Sequence, residues 1–272
     1  MEPNNRMAIL VLTCDKYQDV WEEFFNLRDR YWNDCNFQWY LVTESLTCNR
    51  EGVKTLNSDG NWSTRYRNAV KSISAKYICS FLDDYFITER IDNERINFLV
   101  DFMEKHKVSY LNMDDGFDHI QKTPGLEHYC DDILIIPKHK NYGVDTAGAI
   151  WDRDYLLEKL GDGDYSAWQF ELDRCNEAKS QEGLSGLLLL DQKQSLNISK
   201  IPVIIQGAYY PPALKYFKER GYEINCHDRR IMSTWDVFVY WLKRKCANLK
   251  HGRKFMKWVG TKFFKIQFVS KD

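Results

Sequence analysis

Tyr77-Ile78-Cys79-Ser80-Phe81-Leu82-Asp83-Asp84-Tyr85-Phe86-Ile87 is the stretch whose reading decides the fold. A run of strand-forming residues ends in two adjacent carboxylates, and aromatic and β-branched residues resume at once. Two like charges at the mouth of an apolar strand repel each other and lose hydration, so they call for a cation or strong hydrogen bonds. Hard carboxylate oxygens suit Mg²⁺ or Mn²⁺, and such ions bind substrate phosphates as well as protein. The plainer reading is an Asp-Asp turn between two strands, and the pair taken alone favours it. The flanking segments move the balance toward a metal and a phosphorylated ligand.

Upstream, residues 7–13 (MAILVLT) form a continuous apolar run, as in a strand buried on both faces of a parallel sheet. Asp19 is placed to cap a helix in which Val20, Phe24, Leu27 and Tyr31 recur at helical spacing. Residues 37–43 read as a second strand and 53–56 as a short third. A helix with Trp62, Tyr66, Ala69, Val70, Ile73 and Tyr77 on one face then leads into the strand ending at Asp83-Asp84. This alternation predicts an open α/β sheet. Ligands of such sheets sit beyond the carboxyl ends of the strands. Thr13-Cys14-Asp15, Thr43-Glu44 and Asp83-Asp84 all fall there, so three strand ends are expected to converge on one site.

Downstream the spacing predicts a helix over 92–106, then an irregular stretch in which Asp114-Asp115-Gly116 reads as a turn. Strands follow at 133–136, stopped by Pro137, and at 148–151, then helices at 152–160 and 168–178. The apolar stretch 183–190 fits no class by pattern, and 201–205, with Pro202, reads as an edge strand.

Composition bounds the function. The hydrophobic share of 44% and charged share of 28% are those of a soluble globular chain long enough for a substantial core. The eight cysteines are scattered without the close pairs of structural zinc, and several sit in apolar runs, which predicts reduced thiols in a cytoplasmic setting. No signal peptide precedes Met7, no apolar run reaches membrane-span length, and the Asn61 and Asn197 sequons are read as chance matches. Residues 241–272 hold ten Lys/Arg against Asp272 alone, a net of +9, which leaves −10 for the rest of a chain whose total is −1.

These segments resemble the GT-A glycosyltransferases, enzymes that use nucleotide sugars on a Rossmann-like half-sheet. The resemblance rests on residues 64–84 (TRYRNAVKSISAKYICSFLDD), similar to the family's Arg-Asn-bearing helix running into its acidic metal-binding motif. Thr13-Cys14-Asp15 resembles the loop that receives the nucleotide base. Residues 146–157 (TAGAIWDRDYLL) followed by 166–171 (SAWQFE) are similar to the acceptor side of members that assemble bacterial polysaccharides, where an acidic residue after a Trp begins the helix of the catalytic base. The match spans roughly residues 7–175. It implies a GT-A-like, Rossmann-like α/β fold: a mixed, mostly parallel sheet flanked by helices, with a basic C-terminal helical tail. The usual motif is Asp-any-Asp, whereas here Leu82-Asp83-Asp84 matches the any-Asp-Asp form, which implies Asp84 as the metal ligand.

The chemistry follows from those residues. Breaking a bond to a nucleoside diphosphate requires the leaving charge to be neutralised, and Mn²⁺ or Mg²⁺ on Asp84, or on Asp83 and Asp84 together, would do so. Arg65 and Arg67 can add guanidinium contacts to the phosphates, against the plainer reading of a solvated helix face. An acceptor hydroxyl must lose its proton, and Glu171 is the expected base, with Asp173 the alternative. Trp168 and Phe170 are expected to desolvate Glu171 and raise its pKa. A single displacement with a separate base gives inversion. Tyr17 and Trp62 can stack on base or sugar, and Glu44 can accept from the ribose or base. The resemblance places His227, with Arg229 and Arg230, in a late loop over the diphosphate, where His227 is a third metal ligand; a surface histidine is the plainer reading.

At the C-terminal end Ser233-Thr-Trp-Asp236 has a capping-box order before Trp235, Phe238, Val239, Leu242, Cys246 and Leu249 on one helical face. Lys243, Arg244, Lys245 and Lys250 follow, then Phe255, Trp258, Phe263, Phe264 and Phe268 interleaved with lysines. This suits an anionic membrane surface, and equally a helix packed on the domain with its cations in water. The expected organisation is one GT-A-like catalytic domain over 1–232, its nucleotide-sugar half about 1–110 and its acceptor half about 111–232, with a basic amphipathic tail over 233–272.

The expected activity is transfer of a sugar from a nucleotide-diphosphate donor, UDP being the commonest in the group. The acceptor is a glycan or lipid-linked glycan, in surface polysaccharide (capsule or lipopolysaccharide) synthesis on the cytoplasmic face of the membrane. Two other readings stand beside it. One is a non-catalytic membrane- or nucleic-acid-binding protein, although the −10 body would repel a nucleic acid backbone. The other is a nucleotidyltransferase, which usually shows a Gly-rich phosphate loop that residues 13–17 lack.

Overall fold

The computed structural model describes residues 4–116, 119–146 and 148–248. They divide into two compact units, the first ending at Lys200 and the second starting at Ile201.

The first unit is built on one sheet. Its strands are β1 (Asn4–Leu12), β2 (Phe37–Thr43), β3 (Val53–Asn57), β4 (Tyr77–Leu82), β5 (Tyr110–Asn112), β6 (His128–Cys130), β7 (Ile133–Ile135), β8 (Ala149–Asp152) and β9 (Leu188–Asp191). Its helices are α1 (Gln18–Tyr31), α2 (Trp62–Ser72), α3 (Asn93–His106), α4 (Arg153–Leu160) and α5 (Ala167–Lys179). The strand order is β3-β2-β1-β4-β8-β5-β9-β7-β6. The first four strands pair in parallel, which is the Rossmann-like half, and β9 runs parallel to β5. β8 enters antiparallel to both β4 and β5, so the sheet is mixed and its longest ladders are parallel. This is the α/β class expected of the sequence.

Alternation along the strands sorts the core onto two faces. Ala8, Leu10 and Ile78 face one side, under Tyr66, Ala69 and Val70 of α2 and Leu156 and Leu160 of α4, with Phe170 of α5 in the same cluster. On the other side Trp39 and Phe81 meet Phe24 of α1, with ring centroids 6.2 and 6.0 Å from it. Ser80 falls on the first face, where its hydroxyl is bonded to the Tyr66 phenol, so the polar pair is satisfied inside the core.

The helix starts follow local chemistry. Asp92 caps α3 by accepting from Glu94 N and Arg95 N, and Asp152 caps α4 by accepting from Asp154 N and Tyr155 N. α1 differs from expectation. A short 3₁₀ turn, Asp15–Tyr17, precedes it and Tyr17 stands at its N-cap, because the Asp15 carboxylate is held elsewhere and Asp19 already lies inside the helix.

β5 and β6, three residues each, were not resolved by the sequence pattern, and 183–190 proves to lead into β9. The seven cysteines whose side chains are described, Cys14, Cys35, Cys48, Cys79, Cys130, Cys175 and Cys226, are free thiols.

The second unit holds β10 (Ile204–Ile205), β11 (Ala208–Tyr209), α6 (Pro211–Glu219) and α7 (Thr234–Asn248). The edge strand expected at 201–205 is not part of the large sheet. Gln206 and Gly207 both have positive φ (51° and 76°), a geometry that closes a two-residue hairpin and pairs β10 with β11 alone. α7 opens with the expected capping box: Asp236 N donates to Ser233 Oγ and Ser233 N to Asp236 Oδ2. The face read as suiting either a membrane surface or packing on the domain is not the one that packs. Val237 and Tyr240 pack against Ile205, Ala208 and Met232, while Trp235, Phe238 and Leu242 are exposed. The basic tail beyond Asn248, with Phe255, Trp258, Phe263, Phe264 and Phe268, lies outside the described residues. Among those described, no helix is long and apolar enough to cross a membrane.

Candidate active site

The direction of each strand decides what gathers at the rim. β1, β2 and β4 are parallel and end together, which brings Thr13, Thr43-Glu44 and Asp83-Asp84 to one edge. β5 pairs antiparallel with β8, Asn112 opposite Ala149, so the segment before β8 starts at the edge where β5 ends. Asp145 and Thr146 therefore belong to the same rim as Asp114.

Thr13 anchors the centre. Its hydroxyl donates to the Asp83 carboxylate and accepts from Trp21 Nε1 at 2.8 Å. Asp83 is thereby buried in a fixed position. The next loop is stapled reciprocally: Asp15 N donates to Glu44 Oε2 at 2.7 Å, and the Asp15 carboxylate accepts from Glu44 N, Ser45 N, Ser45 Oγ and Leu46 N. Burial pushes the Asp15 pKa up, but the Ser45, Leu46 and Glu44 bonds outweigh it and the net shift is downward. Glu44 also pairs with the buried Arg65, Oε1 to NH1 2.7 Å. Cys14 sits among these groups. Burial first, and then the charges of Asp83 and Glu44, raise its thiol pKa. Thr13, Cys14, Asp15, Glu44, Arg65 and Asp83 thus form one connected group.

Asp84 contrasts with its neighbour. It is half-buried, and desolvation pushes its pKa up to about 6, against only a backbone hydrogen bond of its own that lowers it. No salt bridge offsets that burial among the described residues. Across the rim, Glu171 on α5 accepts from Thr146 Oγ1 at 2.7 Å. Its pKa is raised, burial outweighing the two Thr146 bonds. The Tyr85 phenol responds to both: burial, then the charges of Asp84, Asp145, Asp114 and Glu171, drive its pKa far up. Four carboxylates lie within electrostatic reach of one hydroxyl.

The remaining expected site residues take other positions. Arg67 spends its NH1 on the carbonyls of Gly161 (2.7 Å) and Gly163 (3.1 Å), tying α2 to the loop before α5. Trp62 packs on Tyr66 and Phe170, and its indole N–H is buried without a hydrogen-bond partner among the described residues. Tyr17 lies half-buried beneath Lys16. Asp173 accepts from Gln169 Nε2 at 2.8 Å; two residues along the helix from Glu171, it projects from a different face. His227 is an exposed residue of the second unit, with φ 45°. Trp168, expected to desolvate Glu171, is 78% exposed, whereas Phe170 is buried in the core. The groups around Glu171 are Thr146, Tyr85 and Tyr142 instead.

Three carboxylates were not expected at this rim. Asp114-Asp115 is not a solvated turn: both side chains are buried. Asp114 pairs with Lys200, and Asp115 accepts from Ile120 N and Gln121 N. The signal was present, since this pair follows an apolar strand as Asp83-Asp84 does. Asp145, which accepts from Tyr110 Oη at 3.3 Å, had no such signal because it precedes its strand. Among the described residues, no three His, Cys, Asp or Glu side chains are grouped to hold a metal by themselves.

No protein-family model matches this sequence, and no curated protein matches it. Among solved structures the chain is similar to a cytidylyltransferase from Leptospira borgpetersenii serovar Hardjo-bovis (strain JB197), with 11% identity over 89% of this chain and 95% of that one, at a TM-score of 0.44. It is also similar to residues 1–349 of S. aureus TarS, with 14% identity over 97% of this chain and 75% of that one, TM-score 0.40. In the longer S. aureus TarS structure it covers 44% of that chain, at a TM-score of 0.39. A UDP-glucose pyrophosphorylase bound to UDP-glucose shares 8% identity over 71% of this chain and 90% of that one, TM-score 0.38. Likeness at this level assigns neither activity nor substrate.

Proposed function

We propose that the chain is a glycosyltransferase that moves a sugar from a nucleoside-diphosphate donor to a glycan or lipid-linked glycan, with inversion, in surface polysaccharide synthesis. One observation carries this reading. Asp84 and Glu171, two half-buried carboxylates with raised pKa values, share a rim at the carboxyl ends of a parallel half-sheet, and the charges of both act on the Tyr85 hydroxyl. Such a pair supplies the two functions a displacement at an anomeric carbon needs, a mount for the counter-charge of the diphosphate and a base for the acceptor hydroxyl.

In this reading Cys14, Asp15 and Glu44 border the nucleoside, and Arg65, oriented by Glu44, lies toward the phosphates. A Mg²⁺ or Mn²⁺ ion fits Asp84 better than Asp83, whose carboxylate already accepts the Thr13 hydroxyl. Such an ion takes one or two carboxylates from protein and the rest from phosphate and water. Bound there, the ion would neutralise charge on the departing diphosphate. Glu171, held by Thr146, would take the acceptor proton.

Calorimetric titration of UDP and GDP, each with and without Mn²⁺, tests the donor site. Micromolar binding of one nucleotide that requires the metal is the expected result, and metal-independent binding removes the ion from the scheme. Binding of neither removes UDP- and GDP-sugars as donors. Release of pyrophosphate instead of nucleoside diphosphate during turnover would replace this reading with nucleotidyl transfer.

A further inference from the structure

α7 presents two apolar faces, and only one of them is accounted for. Val237 and Tyr240 close the small core of the second unit, Tyr240 packing edge-on against Tyr210 at 5.6 Å. On another face Trp235 (69% exposed), Phe238 (47%), Trp241 (47%) and Leu242 (44%) form a continuous stripe. Their spacing keeps them on one side over two helical turns. A soluble domain gains nothing by displaying two indoles, a phenyl ring and a leucyl side chain together in water.

The exposed charges in the last described turns of α7 have one sign. Lys243, Arg244 and Lys245 are exposed, and Lys245 Nζ lies 4.2 Å from the Trp241 ring centroid, within the stripe itself. The one acidic residue of α7, Asp236, is occupied by Ser233 and Arg230 at the cap. Beyond the helix the sequence adds seven more Lys/Arg against Asp272 alone.

We propose that this face of α7 is a peripheral membrane anchor whose partner is a bilayer rich in anionic lipid. Indole, phenyl and leucyl side chains enter the headgroup boundary, while the lysines and arginine meet lipid phosphates. The arrangement disfavours the other occupants. Trp235, Phe238 and Trp241 pack on one another in sequence, with ring centroids 5.6 and 6.1 Å apart and interplanar angles of 31° and 27°, which gives one joined apolar surface and not the separated ring faces between which nucleobases stack. A second copy docking by the same face would set like cations against each other. The inference is independent of the reaction proposed above.

The test is co-sedimentation of the full chain with vesicles of phosphatidylcholine and phosphatidylglycerol in equal parts, against phosphatidylcholine alone. Two variants accompany it, W235S/F238S/W241S and K243Q/R244Q/K245Q, both confined to exposed side chains and checked by circular dichroism. The expected result is binding to the mixed vesicles only, weakened by salt and reduced about tenfold or more in each variant. Vesicle binding by the serine variant equal to that of the parent would overturn the proposal. So would light scattering that shows a dimer lost in the serine variant, or retention of a single-stranded oligonucleotide, without vesicle binding.

Discussion

Single residues at the rim set how this protein responds to pH. Asp84 has a folded-state pKa of about 6, above its ordinary value of 3.8, because burial disfavours its charge. A carboxyl group raised on folding stabilises the fold while it is protonated, and that contribution is lost as pH rises through the folded pKa. Asp84→Asn should therefore gain stability over the parent, on the order of 2 kcal/mol, as pH climbs from about 4 to about 7, with no difference below that window. Melting temperatures of the two proteins across this range measure it, and Mn²⁺ should narrow the gap by stabilising only the parent. Glu171 follows the same sign, but its consequence is kinetic. A base works only when deprotonated, so activity should fall on the acid side with a midpoint above the ordinary glutamate value. Thr146 lowers that pKa through its hydroxyl, so Thr146→Val should move the acid limb to higher pH. Glu171→Gln should keep donor binding and lose about 10²-fold or more in turnover. A merely structural Thr146 would leave the midpoint unmoved. The contrast between Asp83 and Asp84 shows where sequence stops at this scale. Adjacency made the pair visible, but only the Thr13 bond shows which member is already engaged.

At the scale of elements, what was legible had length or punctuation. β1, β2 and β4 are apolar runs bounded by polar ends, and α3, α4 and α7 carry caps that announce their starts. β5 and β6 are too short to establish a period, and the apolar run of β9 reads as readily as buried helix. The direction of β8 was not legible at all, because pairing is a property of two distant segments. That direction is what carries Asp145 and Thr146 to the rim and gives Glu171 its partner. The approach to β9 is also set by one backbone position. Gly186 has φ +82°, and a Cβ there would lie 2.6 Å from Ser109 Oγ and 2.8 Å from Ser109 Cβ. Gly186→Ala combines a left-handed backbone with a collision beside β5, so a destabilisation of about 2–4 kcal/mol is expected in urea unfolding. An effect within experimental error would mean that Ser109 and the loop can move apart, and that β9 is less tightly held than its burial implies.

The whole molecule divides where the large sheet has already closed. All nine of its strands lie before residue 192, and so does every residue of the candidate site except His227, which stands in the second unit. A segment of some 200 residues buries enough surface to fold independently. Its network also closes internally, with Arg95 bridging Asp132 and Asp191, and Lys200 bonding Asp114. The chain ended at residue 202, two residues past Lys200 so that no new carboxylate adjoins Asp114, should therefore fold cooperatively and bind nucleotide as tightly as the full protein. Calorimetry on both forms provides the comparison, with His227→Ala in the full chain as the matched control. Equal affinities in all three would remove His227 from the metal site and leave Asp84 to hold the ion with phosphate and water. A loss of metal-dependent affinity shared by the truncated chain and the His227 variant would restore it as a ligand. A loss in the truncated chain alone would assign the second unit a part in binding that does not pass through this histidine. The same three proteins separate recognition from anchoring. If the exposed face of α7 serves the membrane and the rim serves the donor, truncation should abolish vesicle binding while nucleotide binding persists, because the two functions draw on different units of the chain.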